Sequence, residues 1–246
     1  MLSFIERVYR RIKRLLIKNA HAGNYDFNVS NPLGGNGERV DIQMNGKINF
    51  NSLDTYQKSH WRRYEFAKKK IGKGDVCGDF ACGTGYGSIL LSEKAKTVTG
   101  ADLNNQVITA IKERYIQHEQ VSFFTEDLLN LTFTDHFNSI VSFETLEHFD
   151  ELNLRKLLSI FSKALKKNGR LILSTPYMQE QSELAIKMGF HLTFYINEER
   201  LKNWLEEAGL KIEVIKYQNY ETHDIAGKLN KKDFIICVAG KQMINA

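Results

Sequence analysis

Long apolar runs, a cysteine framework and internal repeats are all missing from this chain of 246 residues. No stretch approaches the roughly 20 apolar residues that cross a bilayer, which argues against a membrane-spanning protein. The first residues are charged throughout, so they lack the apolar core of a secretory signal. Cys77, Cys82 and Cys237 are too few to form a disulfide framework, and an odd, small count fits a reducing compartment. The expectation is a cytoplasmic protein. Net charge is also missing from most of the molecule. The formal charge is +5, and residues 1–20 account for it, with Arg7, Arg10, Arg11, Lys13, Arg14 and Lys18 against Glu6 alone. The rest of the chain balances, which removes the basic footprint that nucleic-acid binding requires. No nucleic-acid partner is expected.

What is present divides into three parts. Residues 1–20 carry Ile5, Val8, Tyr9, Ile12, Leu15 and Leu16 at helical spacing, which predicts a basic amphipathic helix. Such a helix suits a peripheral contact with the inner membrane face, a protein partner, or packing on its own domain. Residues 21–52 are rich in Asn and Gly and read as a loop-rich connector. Residues 53–246 read as one domain. A helix over 53–71 leads into alternating strands and helices, with "DVCGDF", "TVTGAD", "VSFFTED", "FNSIVSFE" and "RLILSTP" as strands. The stretch "ELNLRKLLSIFSKALKKNG" reads as a helix ending at a glycine cap, and "NEERLKNWLEEAGL" as another. "KIEVIKYQ" and "DFIICVAG" close the chain as two strands without a helix between them. This pattern predicts an α/β fold with a Rossmann-like, seven-stranded, mostly parallel sheet, helices on both faces and an antiparallel C-terminal hairpin.

In such a sheet, ligands sit beyond the carboxyl ends of the strands. There the sequence has "GDFACGTGYGS", in which Gly83, Gly85 and Gly87 permit a tight turn and close approach to a ligand. A glycine-rich strand-to-helix turn is by itself a modest signal, found in dinucleotide and other nucleoside sites. Three aspartates sharpen it. Asp79 stands before the turn, Asp102 ends the second strand, where a carboxylate can accept both ribose hydroxyls, and Asp127 ends the third.

The motifs "VCGDFACGTGYGS", "VTGADL", "TEDLLNL", "FNSIVSFETLEHF" and "LKKNGRLILSTP", in this order, resemble those of the class I S-adenosylmethionine-dependent methyltransferases. The resemblance covers about residues 53–240, with one departure: Ala81 stands where the family often has Gly. It implies S-adenosyl-L-methionine as cofactor. Asp79, Ala81, Gly83 and Gly85 would lie near its methionine part, Asp102 and Leu103 at the ribose, Asp127 and Leu128 at the adenine, and Phe143 under the cofactor at the end of the fourth strand. It also implies an in-line methyl displacement, in which the protein holds nucleophile and methyl in line. A hydroxyl acceptor must in addition lose its proton.

The stretch "FETLEHF" then follows the fourth strand. If a helical turn starts there, Glu144, Glu147 and His148 share one face. They also fit an ordinary acidic helix start with a packed histidine. The pattern is similar to that of the ubiquinone-biosynthesis and small-RNA O-methyltransferases. There, the three side chains and a later histidine resemble a divalent-metal site beside the acceptor hydroxyl. His191, after the fifth strand, fits that later place. The resemblance implies Glu144, Glu147, His148 and His191 as ligands of one divalent cation such as Mg or Mn, with Glu144 and His148 as catalytic residues. The alternative is a metal-independent enzyme with His148 as general base on a quinol-type or other small acceptor. A helix like "HWRRYEFAKKKI" is similar to methyltransferases of bacterial surface-polysaccharide pathways, which implies a sugar or phosphate-type oxygen as acceptor. Remoter alternatives are a nicotinamide oxidoreductase, which would need a second nucleotide half, and a non-catalytic binding subunit on the same fold.

Overall fold

The computed structural model describes residues 33, 39–44, 46, 48–183, 186 and 189–242. The amphipathic helix expected over residues 1–20 lies outside them. The first helix, α1 (Thr55–Lys70), starts where the sequence supplies a reciprocal cap: the Asp54 carboxylate accepts from the Gln57 backbone N–H, and the Gln57 side chain accepts from that of Asp54. Five units of strand and following segment come next. They are β1 (Val76–Phe80), α2 (Tyr86–Ser92), β2 (Thr97–Asp102), α3 (Asn105–Arg114), β3 (Val121–Thr125), β4 (Phe137–Phe143), α4 (Glu151–Ala164), β5 (Leu165–Pro176) and α5 (Glu198–Glu207). The chain closes with β6 (Leu210–Gln218), a two-residue β7 (Ile225–Ala226) and β8 (Phe234–Lys241).

One sheet runs in the order β3-β2-β1-β4-β5-β8-β6-β7. β1 to β5 pair in parallel, and β8 runs antiparallel between β5 and β6. The expected α/β sheet with its antiparallel C-terminal pair is present. The short β7 raises the strand count from seven to eight, and β8 inserts inside the sheet rather than at its edge. The chain steps outward from β1 to β3, then returns to the other side of β1 with β4. The ends of β1 and β4 therefore flank the topological switch point, where open α/β sheets form their ligand crevice.

One expected boundary moves. The helix expected to run to a cap at Gly169 ends at Ala164, and Leu165 already pairs with Phe137 of β4. Long-range pairing overrides a segment whose local composition is good for helix. In contrast, α5 does end before a left-handed Gly209 (φ 72°), the expected C-terminal glycine.

Apolar faces of α4 and α5 bury Leu154, Leu157, Leu158, Phe161, Leu201, Trp204 and Leu205 against one face of the sheet. On the other face, Trp61, Tyr64 and Ala67 of α1 pack with Leu90 and Leu91 of α2 on Val98, Val141, Ile172 and Val238. Each such aliphatic or aromatic side chain contributes about 1.5–3 kcal/mol on full burial. Val40 and Ile42 join this second core, and an Arg114–Asp41 ion pair of 2.6 Å holds the same segment to α3. Residues 39–44 are thus part of the packed body, although the sequence reads there as a connector. The cysteines are buried and unbridged, and no helix among the described residues is long and apolar enough to cross a membrane.

Candidate functional site

Between β1 and α2 the backbone makes a turn that only small residues accept. Ala81, Gly83 and Gly85 all have left-handed φ (64°, 52° and 76°). Glycine adopts this region freely, whereas Ala81 bears a strain of order 1–2 kcal/mol. A Cβ on Gly85 would lie 2.9 Å from the Phe123 ring, whereas one on Gly83 would meet only open space and Arg39. Gly83 is therefore the point at which a ligand can come close to the backbone.

Asp102, the last residue of β2, ties this loop down. Its Oδ2 accepts from the Gly83 N–H at 3.0 Å and its Oδ1 from the Asn104 N–H at 2.9 Å. Each oxygen keeps a lone pair, so the carboxylate can still receive a pair of vicinal hydroxyls. Leu103 beside it is 57% exposed, an apolar surface at the lip of the crevice. Asp127 sits two residues beyond the end of β3, and its Oδ1 caps the Leu128–Asn130 turn through the Leu129 N–H at 3.0 Å. Leu128 is buried.

Asp79 does not face the crevice. It is fully buried beneath the loop, where its oxygens accept from the Tyr64 hydroxyl (3.1 Å) and the Ser88 hydroxyl (2.6 Å). Burial pushes its carboxyl up to about 6, against the two hydroxyl hydrogen bonds that favour the anion. The Tyr64 ring then meets Phe143, at the end of β4, edge-on at 5.0 Å. Asp79, Tyr64 and Phe143 thus form one continuous wall from under the glycine loop to the start of "FETLEHF".

That stretch is not the expected helix start. Glu144 is left-handed (φ 48°), and only Leu146–His148 form a single 3-10 turn. Glu144 is consequently not one face with Glu147 and His148. Its Oε1 accepts from the Ser174 hydroxyl of β5 at 2.7 Å. Three of the four expected metal ligands do come together: atoms of Glu147, His148 and His191 lie within 4.8 Å of one another, and Glu144 is outside that group. The segment bearing His191 is held against the turn, since the Glu147 carbonyl accepts from the N–H groups of Leu192 (2.7 Å) and Thr193 (3.1 Å).

The protonation of this cluster follows from its partners. His148 Nδ1 lies 2.9 Å from the Phe190 carbonyl and His191 Nδ1 lies 2.6 Å from Gln179 Oε1. Both partners are acceptors, so each Nδ1 carries the hydrogen and each Nε2 keeps its lone pair, an assignment made from the network. Burial lowers His148, and burial followed by the charge of His148 lowers His191 to about 4. Both imidazoles are neutral at physiological pH. Glu147 is 1% exposed; its Oε2 accepts from Thr175 Oγ1 at 3.0 Å, and its Oε1 has no partner. Burial and then Glu144 raise its carboxyl. A buried carboxyl oxygen without a partner is costly, and a cation shared with the two neighbouring imidazoles would satisfy it and hold the carboxyl as the anion. Thr175, Gln179 and Phe190 are the outer partners that fix these side chains. None stood out in the sequence, because hydroxyls, amides and carbonyls gain such roles only through tertiary placement.

Comparison with known proteins adds the remaining observation. A family model described as a methyltransferase domain matches residues 53–215. The chain is 26% identical to the demethylmenaquinone methyltransferase of Lactobacillus johnsonii, over 78% of this chain and 77% of that protein. It is 30% identical to the mitochondrial ubiquinone biosynthesis O-methyltransferase of Candida albicans, over 52% of this chain and 44% of that protein. Its fold is similar to a Burkholderia thailandensis 1,6-didemethyltoxoflavin-N1-methyltransferase solved with bound 1,6-didemethyltoxoflavin and S-adenosylhomocysteine. There the TM-score is 0.61 at 16% identity, over 75% of this chain and 79% of that one.

Proposed function

The chain belongs to the methyltransferase-domain family, and on that premise we propose that it transfers the methyl group of S-adenosyl-L-methionine to an oxygen of a small-molecule acceptor. The cofactor reading is supported by the open approach at Gly83, the two free lone pairs of Asp102 and the exposed Leu103 at the switch point. It is also supported by relatives that carry this cofactor in their names or its demethylated product in their crystals. Asp102 and Leu103 would hold the ribose, the Ala81–Gly85 backbone would pass the methionine part, Asp127 and Leu128 would border the adenine, and Phe143 would lie beneath. In such a transfer the carbon–sulfur bond would break as the carbon–oxygen bond forms, releasing S-adenosylhomocysteine, and the acceptor hydroxyl would pass its proton to solvent or to His148.

The relatives' names include both O- and N1-methyltransferases, so family alone does not choose the acceptor atom. The observation that carries the choice of oxygen is the orphaned, buried Oε1 of Glu147 beside two neutral imidazoles. One carboxylate and two imidazoles suit Zn, Mn or Fe, with water or Glu144 completing the set. A divalent cation, if bound there, would supply Lewis-acid chemistry that lowers the pKa of an adjacent hydroxyl. Glu147, His148 and His191 would hold the ion, and the Phe190 carbonyl and Gln179 orient the rings. A second reading rests on the same lowered His148: a neutral, oriented imidazole can itself take the acceptor proton without metal. The similarity of α1 to that of surface-polysaccharide enzymes supports a sugar as acceptor, to be screened against quinol precursors.

Metal analysis separates the two readings. The purified protein should hold close to one equivalent of divalent metal after dialysis against Mn or Zn. His191→Ala should lose it while keeping its affinity for S-adenosylhomocysteine. Metal-free protein with full turnover on a found acceptor, and an inactive His148→Ala, would establish His148 as base instead.

A further inference from the structure

Arg63 of α1 is 0% exposed and, among the described residues, has no ion-pair partner. Its guanidinium stacks on the Phe234 ring at 4.3 Å, and Nη1 donates to Gln218 Oε1 at 2.9 Å. Gln218 is neutral and already engaged, accepting also from the Ser59 hydroxyl (3.2 Å) and donating to the Ser59 carbonyl (2.9 Å). Nε and Nη2 are both buried without a partner. These two atoms form one edge of the guanidinium, the edge that makes paired, parallel hydrogen bonds to a carboxylate or phosphate. A buried cation left unpaired costs several kcal/mol, and water can take its hydrogens but not its charge.

The location identifies the owner of the missing anion. The glycine loop hangs on β1 and the ribose carboxylate on β2, whereas Arg63 is fixed to β8 and β6. In the sheet order, β8 is three spacings beyond β1, roughly 14 Å. The Glu147, His148 and His191 cluster comes from the ends of β4 and β5, between the two. Phe234, on which the guanidinium stacks, pairs with Pro176 at the carboxyl end of β5 and with Gln218, so Arg63 stands at the same edge of the sheet as the cluster. Across the carboxyl edge the order is the glycine loop with Asp102, the Glu147, His148 and His191 cluster, then an unpaired cation.

We infer that the acceptor carries a carboxylate or phosphate group, which seats on the Nε and Nη2 edge of Arg63 and turns the neighbouring oxygen toward the methyl. This rests on the methyl-transfer reading above and narrows its substrate to anionic molecules. The charge neutrality of the body outside residues 1–20 makes Arg63 a local device rather than part of a basic surface.

The test uses full-length, metal-free protein with chelator removed and S-adenosylhomocysteine saturating, titrated calorimetrically with inorganic phosphate. Saturable binding is expected, weakened at least tenfold in Arg63→Gln and only partly restored in Arg63→Lys, which keeps the charge but not the fork. S-Adenosylhomocysteine affinity should be the same in all three proteins. Absence of saturable phosphate binding in the wild type, or equal binding by Arg63→Gln, overturns the proposal. So does a tenfold loss of S-adenosylhomocysteine affinity in Arg63→Gln with 5′-methylthioadenosine unaffected, since the guanidinium would then serve the cofactor's own carboxylate. If Arg63→Gln does not fold, the Nε resonance of Arg63 in the wild type decides: it should shift on phosphate addition, and a fixed resonance rejects the site. Failure of S-adenosylhomocysteine to bind the wild type would instead sink the cofactor reading, and the phosphate titration can be run without it.

Discussion

At the residue scale, Asp102 and Asp79 divide the labour of one site. Asp102 holds the loop through Gly83, so Asp102→Ala removes a loop anchor and, on the proposed reading, a ribose partner. A charge-assisted pair of this kind contributes about 1.5–3 kcal/mol. Cofactor affinity measured by calorimetry should fall correspondingly, by at least tenfold, and an unchanged affinity rejects the residue's assignment. Asp79 acts from beneath. Its carboxyl, raised to about 6 by burial, titrates within an accessible range. A raised acid favours its protonated form in the fold, so its contribution to stability is full below the ordinary carboxylate range and is lost as pH rises through about 6. Ligand binding has the opposite sign. With the cofactor seated as proposed, the anion above pH 6 would attract the sulfonium of S-adenosyl-L-methionine from beneath the loop, and protonation would remove that attraction. Affinity for S-adenosyl-L-methionine should therefore drop as pH falls through 6, more steeply than affinity for the neutral thioether S-adenosylhomocysteine. Parallel pH profiles for the two would show that Asp79 is purely structural.

The element scale shows how α1 is locked to the glycine loop. α2 approaches α1 so closely that a Cβ on Gly87 would lie 2.1 Å from the Tyr64 ring. Nothing at that distance can be absorbed without moving the ring, and the ring carries the hydroxyl bonded to Asp79. Gly87→Ala should destabilise the fold by at least about 1–3 kcal/mol in chemical denaturation, the range of overpacked cores. Stability within error of the wild type would contradict this packing. At this scale the sequence is most and least legible. Alternating strands and helices are readable because hydrophobic periodicity and caps such as Asp54 and Gly209 act locally. The end of α4 and the course of "FETLEHF" are not. Leu165 leaves the helix because β4 offers it a partner, and Glu144 turns left-handed because Ser174 and the β5 edge receive its backbone and side chain. Neither decision is recorded in neighbouring residues.

On the scale of the whole molecule, strand order does the assembling. Residues as far apart as Asp79, Asp102, Glu147 and His191 reach one edge because β1 and β4 part at the switch point. The glycine loop and aspartates were legible in the sequence as motif residues. The pairing of His191 with His148, 5.0 Å between ring centroids, was readable only by resemblance, because 42 residues separate His148 from the Phe190 carbonyl that orients it. The outer partners Thr175 and Gln179, and the unpaired edge of Arg63, required the packed chain. We propose that a divalent cation on Glu147, His148 and His191 stands next to the transferable methyl. The most direct measurement is the carbon-13 resonance of methyl-labelled S-adenosyl-L-methionine bound to the protein, recorded before and after one equivalent of Mn is added. Strong paramagnetic broadening of the methyl signal is expected in the wild type and none in His191→Ala. A bound methyl signal that stays sharp in the wild type at saturating Mn would contradict it.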